Sequence, residues 1–252
     1  MSRIVWLTGA SKGLGRAVAV ALAQRGDTVA ASARTQSDLE SLAQELSALP
    51  GEIHPFPLDV GDAAATLDVV DAIEERLGPI DLAILNAGTH QPVRATEFSV
   101  EPFRTLVEVN LMGTVNGLAA LLPRFCAQRR GHVAVVASVA GYRGLPTAGA
   151  YGATKAALIN MCEALKPELD RAGVRISVIN PGFVRTPLTD RNPFPMPFLM
   201  EPDDAAQRLV RGLDSRRFEI TFPRRFTWTL KLLRCLPYAL YFPLTRRLVQ
   251  RQ

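Results

Sequence analysis

Short apolar runs alternate with longer amphipathic stretches along the first 222 residues of the chain. Runs such as HVAVVAS are rich in β-branched and small residues and predict β-strands. The stretches between them repeat apolar positions every three or four residues, which is typical of helices. Predicted strands cover 3–8, 28–33, 52–58, 80–88, 132–138, 175–182 and 217–222, and predicted helices cover 13–26, 36–49, 62–78, 101–129, 150–171 and 201–213.

This alternation predicts an α/β fold in a single domain over residues 1–222, a doubly wound (Rossmann) parallel sheet with helices on both faces. Two prolines in 52–58 predict an irregular strand at an edge of the sheet. Ser37 is expected to cap the second helix. Sheets of this kind bind ligands at the carboxyl ends of their strands, so the chemistry is expected there.

Composition narrows the class of protein. With 252 residues, 48% of them hydrophobic, the chain is long enough for one large α/β core. Its three cysteines and three histidines are too scattered for a disulfide framework or a metal cluster, so no metal is expected. The first apolar run is too short for a signal peptide, and no run of eighteen uncharged apolar residues appears. We therefore expect a cytoplasmic protein.

Charge separates the carboxyl-terminal tail from the rest. Residues 223–252 hold seven cations and no acid, a net charge of +7. Because the whole chain has a net charge of +5, residues 1–222 have a net charge of −2. The body of the protein therefore gives no reason to expect binding of nucleic acid. Within the tail, Thr227, Lys231 and Arg234 form a polar stripe at helical spacing among aromatic residues and leucines. That pattern predicts a helix at the surface of an anionic membrane, with peripheral contact. The alternative is a tail that packs on the body or on a second subunit.

A glycine-rich segment, TGASKGLG, joins the first strand to the first helix. Glycines at such a turn let the backbone approach a pyrophosphate, whose charge meets the N–H groups at the helix start. After the second strand, Ala33-Arg34 stands where a dinucleotide site usually has an acid for the ribose 2′-hydroxyl. Arg34, with Lys12 opposite, favours the 2′-phosphate of NADP. The alternative is a pair of solvated surface cations.

Tyr151 and Lys155 stand four residues apart in AYGATKAA, so a helix places them on one face with only small residues around them. A phenol is a poor acid or base near pH 7, and a nearby ammonium lowers its pKa. Tyr151 is therefore a candidate general acid and base, with Lys155 tuning it. An isolated pair of this spacing is also common on surface helices.

The order of these motifs resembles the short-chain dehydrogenase/reductase family over about residues 3–222. The glycine loop is followed by Asp59-Val60, by an Asn-Ala-Gly at 86–88 and by Asn110 in VNLMG. Ser138 then ends the fifth strand before Tyr151, and a Pro-Gly at 181–182 precedes Thr186. The resemblance implies cofactor contacts from Gly9, Ser11, Lys12, Gly13, Leu14, Gly15, Arg34, Asp59, Val60, Asn86, Ala87, Gly88, Tyr151, Lys155, Pro181, Gly182, Val184 and Thr186.

What the resemblance implies chemically is reversible hydride transfer between NADP(H) and a carbonyl/alcohol pair. Ser138 would orient the carbonyl, and Tyr151 would give it a proton. Lys155 would hold the nicotinamide ribose and lower the pKa of Tyr151. Asn110 would interrupt its helix locally and support a water that relays protons.

A substrate lid is expected over residues 183–202, where the family places one. Its apolar residues predict a lipophilic carbonyl substrate, although they suit a lid packed on its own core equally well: Phe183, Leu188, Phe194, Met196, Phe198, Leu199 and Met200. A 3-oxoacyl carrier-protein reductase of fatty-acid synthesis and a non-catalytic NADP-binding sensor or scaffold are the alternative functions. The family commonly pairs the helices at 101–129 and 150–171 across a two-fold axis, which implies a homodimer or homotetramer.

Overall fold

Seven parallel strands form one sheet at the centre of the computed structural model, which describes residues 2–191 and 196–249. The strands are β1 (Ile4–Thr8), β2 (Thr28–Ser32), β3 (Glu52–Pro55), β4 (Leu82–Leu85), β5 (His132–Val136), β6 (Arg175–Pro181) and β7 (Glu219–Phe222). Their order is β3-β2-β1-β4-β5-β6-β7, and every neighbouring pair is parallel. The predicted doubly wound α/β fold is confirmed, and the proline-containing β3 lies at an edge as expected.

Helices cover both faces of this sheet. They are α1 (Gly13–Gln24), α2 (Gln36–Glu45), α3 (Ala63–Leu77), α4 (Val100–Leu106), α5 (Gly113–Gln128), α6 (Gly149–Ala172), α7 (Pro202–Asp214), α8 (Arg224–Arg234) and α9 (Tyr238–Val249). Successive side chains of a strand point to opposite faces, and β1 illustrates the result. Val5 and Leu7 join the apolar layer beneath α1, α2 and α7, whereas Trp6 between them joins the layer beneath α3, α5 and α6.

The direction of winding changes at β1. β2 and β3 lie on one side of it, and β4 to β7 lie on the other. The loops that leave β1 and β4 therefore part at their carboxyl ends, which is where open α/β sheets form a ligand crevice. The fourth strand ends at Leu85, earlier than predicted, so residues 86–88 form a loop at this crevice.

The predicted helix at 101–129 is interrupted. A π-helical turn, Val107–Met112, separates α4 from α5. Taken as one run, Val100–Gln128 is long and apolar enough to cross a membrane, with a mean hydropathy of 1.4 in its most apolar stretch. It packs against α3 and α6, and 44% of that stretch is buried, which is also usual for the core helix of a globular domain.

The N-cap of α2 differs from the prediction. The helix begins at Gln36, as predicted, after Thr35 in an extended conformation with φ −95° and ψ 110°. The prediction of Ser37 as the N-cap is therefore wrong, because Ser37 already has helical neighbours on both sides. Asp38 lies in the first turn of α2.

Candidate active site

The glycine loop makes a close turn between β1 and α1. Gly9 has a φ of +69° and Gly13 a φ of +55°, a left-handed conformation that side chains rarely adopt. A Cβ atom on Gly15 would lie 2.0 Å from the carbonyl oxygen of Gly9, so that position excludes any side chain. The loop therefore brings bare backbone to the amino-terminal end of α1, where the N–H groups and the helix dipole favour an anion.

Asn86 ties the ends of β1 and β4 together. Its backbone N–H and that of Ala87 donate to the hydroxyl of Thr8, at 3.0 and 3.1 Å. Its side-chain amide donates to the carbonyl oxygen of Thr8 at 3.0 Å. Asn86 thus lines the crevice while its amide holds the glycine loop in place.

One cleft of about 500 Å³ runs along the carboxyl ends of the strands. All eighteen residues predicted to contact a cofactor line it, from Gly9 in the first loop to Thr186 after β6. Ser138 lines it as well, at the end of β5. Ala33 and Leu188 line it too, and so do residues that the sequence did not single out: Thr35, Asp38, Leu58, Thr89, Thr105, Val109, Val136, Ala137, Pro187 and Thr189.

Tyr151 and Lys155 reach the cleft from the first turns of α6. The ammonium of Lys155 is 3% exposed and donates to the carbonyl oxygen of Val136, at 2.8 Å. It lies 5.7 Å from the centre of the Tyr151 ring. The side chain of Ser138 lies near enough to the Tyr151 hydroxyl to lower its pKa. A phenol, a hydroxyl and a cation therefore meet at one place.

Burial sets the electrostatics of this group. It raises the pKa of Tyr151, and the side chain of Ser138 lowers it in part. Burial also lowers the pKa of Lys155 to about 8. The expected lowering of the pKa of Tyr151 by Lys155 is not what this structure has, because desolvation has the larger effect on the phenol and raises its pKa.

Asn110 lies behind the cleft, in the π-helical turn, and is fully buried. Its carbonyl oxygen accepts from the backbone N–H of Thr89 at 2.7 Å, and its amide donates to the carbonyl oxygen of Thr89 at 3.0 Å. The amide also donates to the hydroxyl of Thr154, at 3.2 Å. Asn110 therefore fastens the segment after Gly88 to α6 beside Lys155, and the expected local interruption of its helix is present.

Two neighbours of the predicted site were missed. The ring of His90 meets that of Tyr151 edge to face, with 4.7 Å between ring centres, and His90 is 8% exposed. Asp38 lies within 3.2 Å of the Lys12 ammonium and lines the cleft beside Arg34. His90 could have been found from the sequence, because it stands two residues after the Asn-Ala-Gly. Asp38 was missed because it pairs with Lys12 of the glycine loop, which belongs to a different element of the fold.

The lid region packs partly on the core and partly on the tail. Val184 and Met200 form an isolated parallel bridge and are both buried. The rings of Phe183 and Phe198 lie 5.5 and 5.9 Å from that of Phe226 in α8. Leu188 lines the cleft, and Phe194 lies outside the described residues.

Among the described residues no group of three or more histidine, cysteine or acidic side chains is placed to hold a metal ion.

Comparison with known proteins places this arrangement in a family. The family model for short chain dehydrogenases matches residues 3–193. An uncharacterised oxidoreductase of Myxococcus xanthus is 39% identical over 246 residues, which cover 98% of this chain and 97% of that protein.

Two solved structures extend the likeness to nucleotide complexes. An alcohol dehydrogenase of the archaeon Thermococcus sibiricus, complexed with 5-hydroxy-NADP, is 32% identical, with a TM-score of 0.79 over 88% of this chain and 96% of that one. A short-chain dehydrogenase/reductase of Burkholderia phymatum, in complex with NAD, is 26% identical, with a TM-score of 0.84 over 92% of each chain. The chain therefore belongs to the short-chain dehydrogenase/reductase family and is an oxidoreductase of that family.

Proposed function

We propose that this oxidoreductase transfers hydride between NADP(H) and the carbonyl/alcohol pair of a lipophilic small molecule. The observation that carries the proposal is the meeting of Ser138, Tyr151 and Lys155 in the same cleft as the glycine loop and Arg34. A binding protein has no need of a buried ammonium beside a partly buried phenol, since burying the ammonium costs free energy.

The residues of the cleft fit a dinucleotide. The glycine loop offers bare backbone and a helix start to the pyrophosphate, and an added Cβ on Gly13 would come within 3.1 Å of Thr186 across the cleft. Asp59 and Val60 would contact the adenine, and Lys155 would hold the nicotinamide ribose. The nicotinamide supplies or accepts the hydride when NADP(H) is bound.

Proton transfer is the part of the reaction that this chain supplies itself. During reduction the Tyr151 hydroxyl gives its proton to the carbonyl oxygen, and in oxidation it takes that proton back. The Ser138 hydroxyl orients the carbonyl and then hydrogen-bonds the phenolate. The ammonium of Lys155, 5.7 Å from the ring centre, stabilises the same negative charge where little water is present to screen it.

The NADP preference in this proposal rests on Arg34. Arg34 is exposed at the cleft, next to the buried Ala33, where an acid would otherwise hold a ribose hydroxyl. Lys12 contributes less, because its ammonium is already paired with Asp38. The lipophilic substrate rests on Val109, Leu188 and the neighbouring Pro187, which give the cleft an apolar wall.

Oxidation of NADPH, followed by its absorbance, tests the proposal against a panel of carbonyl compounds. The panel runs from a small water-soluble ketone to aromatic ketones, a ketosteroid and a medium-chain 3-oxoacyl thioester, each with NADPH and with NADH. We expect turnover of at least one lipophilic ketone, faster with NADPH. Turnover of the thioester alone would identify a 3-oxoacyl carrier-protein reductase, and tight NADPH binding without any turnover would identify a sensor.

We also propose a homodimer or homotetramer formed through the helices at 101–129 and 150–171. Val107 and Met112, on the first of these, are 40% and 37% exposed, more than large apolar side chains usually are in a core helix. Light scattering at micromolar concentration tests this, and a monomer would contradict it.

A further inference from the structure

Helix α8 turns part of its predicted polar stripe towards the body of the protein. Thr227 is 1% exposed, and the ammonium of Lys231 forms an ion pair with Glu219 of β7, whereas Arg234 is exposed. Partly buried apolar side chains of the same helix also pack against the core. Beside this inner face, Trp228 and Leu232, one turn apart, are 68% and 69% exposed. A helix at the surface of a globular domain normally has polar side chains at such exposed positions.

This orientation is fixed by contacts from the segment between β5 and α6. The guanidinium of Arg143 lies 3.8 Å from the centre of the Tyr241 ring, and Tyr241 donates to the carbonyl oxygen of Gly144. The guanidinium also donates to three carbonyl oxygens at the end of α8, those of Leu233 at 2.8 Å, Arg234 at 3.1 Å and Leu236 at 2.6 Å. These contacts therefore hold the end of α8 and the start of α9 against the body of the protein.

Helix α9 extends the exposed apolar surface. Of the twelve large hydrophobic side chains that are exposed among the described residues, six lie between 228 and 244. Such a concentration marks an interaction surface rather than scattered exposure. We name it the tail surface, formed by the exposed side chains Trp228, Leu232, Tyr238, Leu240, Phe242 and Leu244 with the exposed arginines Arg224, Arg225, Arg234 and Arg246.

We propose that the tail surface docks on an anionic phospholipid bilayer. Tryptophan and tyrosine settle at the headgroup level, and arginines beside them meet the lipid phosphates. No acid occurs in residues 223–252, so the positive charge of this surface is not offset within the tail. A second copy of the chain is a poorer occupant, because a two-fold interface through this surface would bury the arginines of both copies with no acid of either tail to pair with them.

Docking would bring the substrate lid to the membrane. Phe226 of α8 packs on Phe183 and Phe198, which belong to the two ends of the lid region. A lipophilic substrate then has a short path from the bilayer to the cleft. This consequence depends on the proposed function, whereas docking itself does not.

The chain carries its own reporter for this test. It has two tryptophans, of which Trp6 is fully buried and Trp228 is exposed in the tail surface. We expect a blue shift of the emission when the full chain meets vesicles of phosphatidylcholine mixed with phosphatidylglycerol at low salt. Vesicles of phosphatidylcholine alone should cause a smaller shift, and added salt should reverse the binding in part, because it screens the attraction.

Variants then separate charge from apolar contact. Arg224→Gln with Arg225→Gln should weaken vesicle binding about fivefold for each arginine, as measured by co-sedimentation. The matched control is Arg208→Gln with Arg216→Gln, two exposed arginines outside the tail, which should leave it unchanged. Leu232→Ser should also weaken binding, whereas Leu67→Ser, at a residue 45% exposed on α3, should not. Thermal unfolding checks that each variant is folded.

Three results would overturn the proposal. One is no emission shift of the wild type with anionic vesicles at low salt. Another is an equal loss of binding in the control variants, which would show that vesicles bind the whole protein surface by nonspecific electrostatic or hydrophobic adsorption. The third is a change of oligomeric state in Leu232→Ser without vesicle binding by the wild type, which would assign the tail surface to contact between copies.

Discussion

A phenol and a cation lie together at two sites in this molecule, with different consequences. One site is the cleft, with Tyr151 and Lys155, and the other is the tail, with Tyr241 and Arg143. At the cleft, the Lys155 ammonium is buried, donates one hydrogen bond to a backbone carbonyl oxygen and lies near the Tyr151 ring. At the tail, the Arg143 guanidinium is satisfied by three carbonyl oxygens and lies over the ring of Tyr241. The first pair keeps capacity for a ligand and a proton, and the second serves as an anchor.

Solvent access explains the difference in proton chemistry. Around Lys155, burial lowers the pKa to about 8, so the ammonium form costs about 3 kcal/mol relative to water. That cost is recovered when a ligand or a developing negative charge comes close. Around Tyr241, burial raises the phenol pKa and the charge of Arg143 lowers it. Four experiments should separate the two regions, and a fifth tests the chemistry directly.

The largest effect is expected from Lys155→Ala. It removes the cation that would both hold the ribose and stabilise the phenolate, so kcat should fall by about 10²–10⁴-fold and NADPH affinity should also drop. Steady-state kinetics and NADPH titration measure both quantities. Lys166→Ala, three turns further along α6 and paired with Asp170, is the matched control and should change neither. Equal damage from the two variants would mean that Lys155 is only structural.

Cofactor choice should respond next. Arg34→Ala removes a charged hydrogen-bond donor to a 2′-phosphate, so NADPH affinity should fall about 10–100-fold while NADH affinity changes little. Asp38→Asn should act in the opposite direction, because it frees Lys12 and removes a negative charge from the cleft. Isothermal titration with each cofactor measures both variants. The same loss for NADPH and NADH in Arg34→Ala would contradict the assignment.

Titration of Lys155 gives a pH dependence. Because its pKa is lowered to about 8, the side chain is charged below that pH and neutral above it, while the raised pKa of Tyr151 keeps the phenol protonated. The kcat/KM for NADPH reports groups of the free enzyme and should decline as the pH rises through about 8. Lys155→Arg keeps the charge and should shift the decline to higher pH. A flat profile in the wild type would refute this account.

The smallest effect on catalysis is expected at the tail. Arg143→Ala removes the hydrogen bonds that hold the end of α8, which should destabilise the fold by about 2 kcal/mol and speed hydrogen exchange in α8. Arg143→Lys restores charge without the forked geometry and should recover only part of this. Thermal unfolding measures the loss of stability, and hydrogen exchange measures the opening of α8. Arg208→Ala, at an exposed arginine, is the control. Loss of turnover as large as for Lys155→Ala would instead make the tail part of the active site.

Local patterns predicted the core of this molecule well, and partners distant in sequence account for the rest. The order of strands and helices follows from periodicity, and the glycine loop and the Tyr151–Lys155 spacing lie within single turns. The pairing of Lys12 with Asp38 joins the glycine loop to α2, and no local pattern contains both residues.

The orientation of α8, meaning which of its side chains turn towards the body of the protein, could not be predicted for a similar reason. Lys231 of its polar stripe turns inward because it pairs with Glu219 of β7, and Arg143, about ninety residues earlier, holds the helix end. The pKa of Tyr151 was predicted in the wrong direction because spacing gives the neighbours of a group and not the water it loses.

The most direct test of the central claim is a single-turnover experiment on Tyr151→Phe. The substitution removes only the proton donor and keeps the ring that meets His90. We predict that NADPH binds to the variant nearly as tightly as to the wild type, while reduction of the best carbonyl substrate in the panel falls by at least about 10²-fold. Reduction at close to the wild-type rate, with NADPH bound, would show that another group supplies the proton and would contradict the assignment of Tyr151.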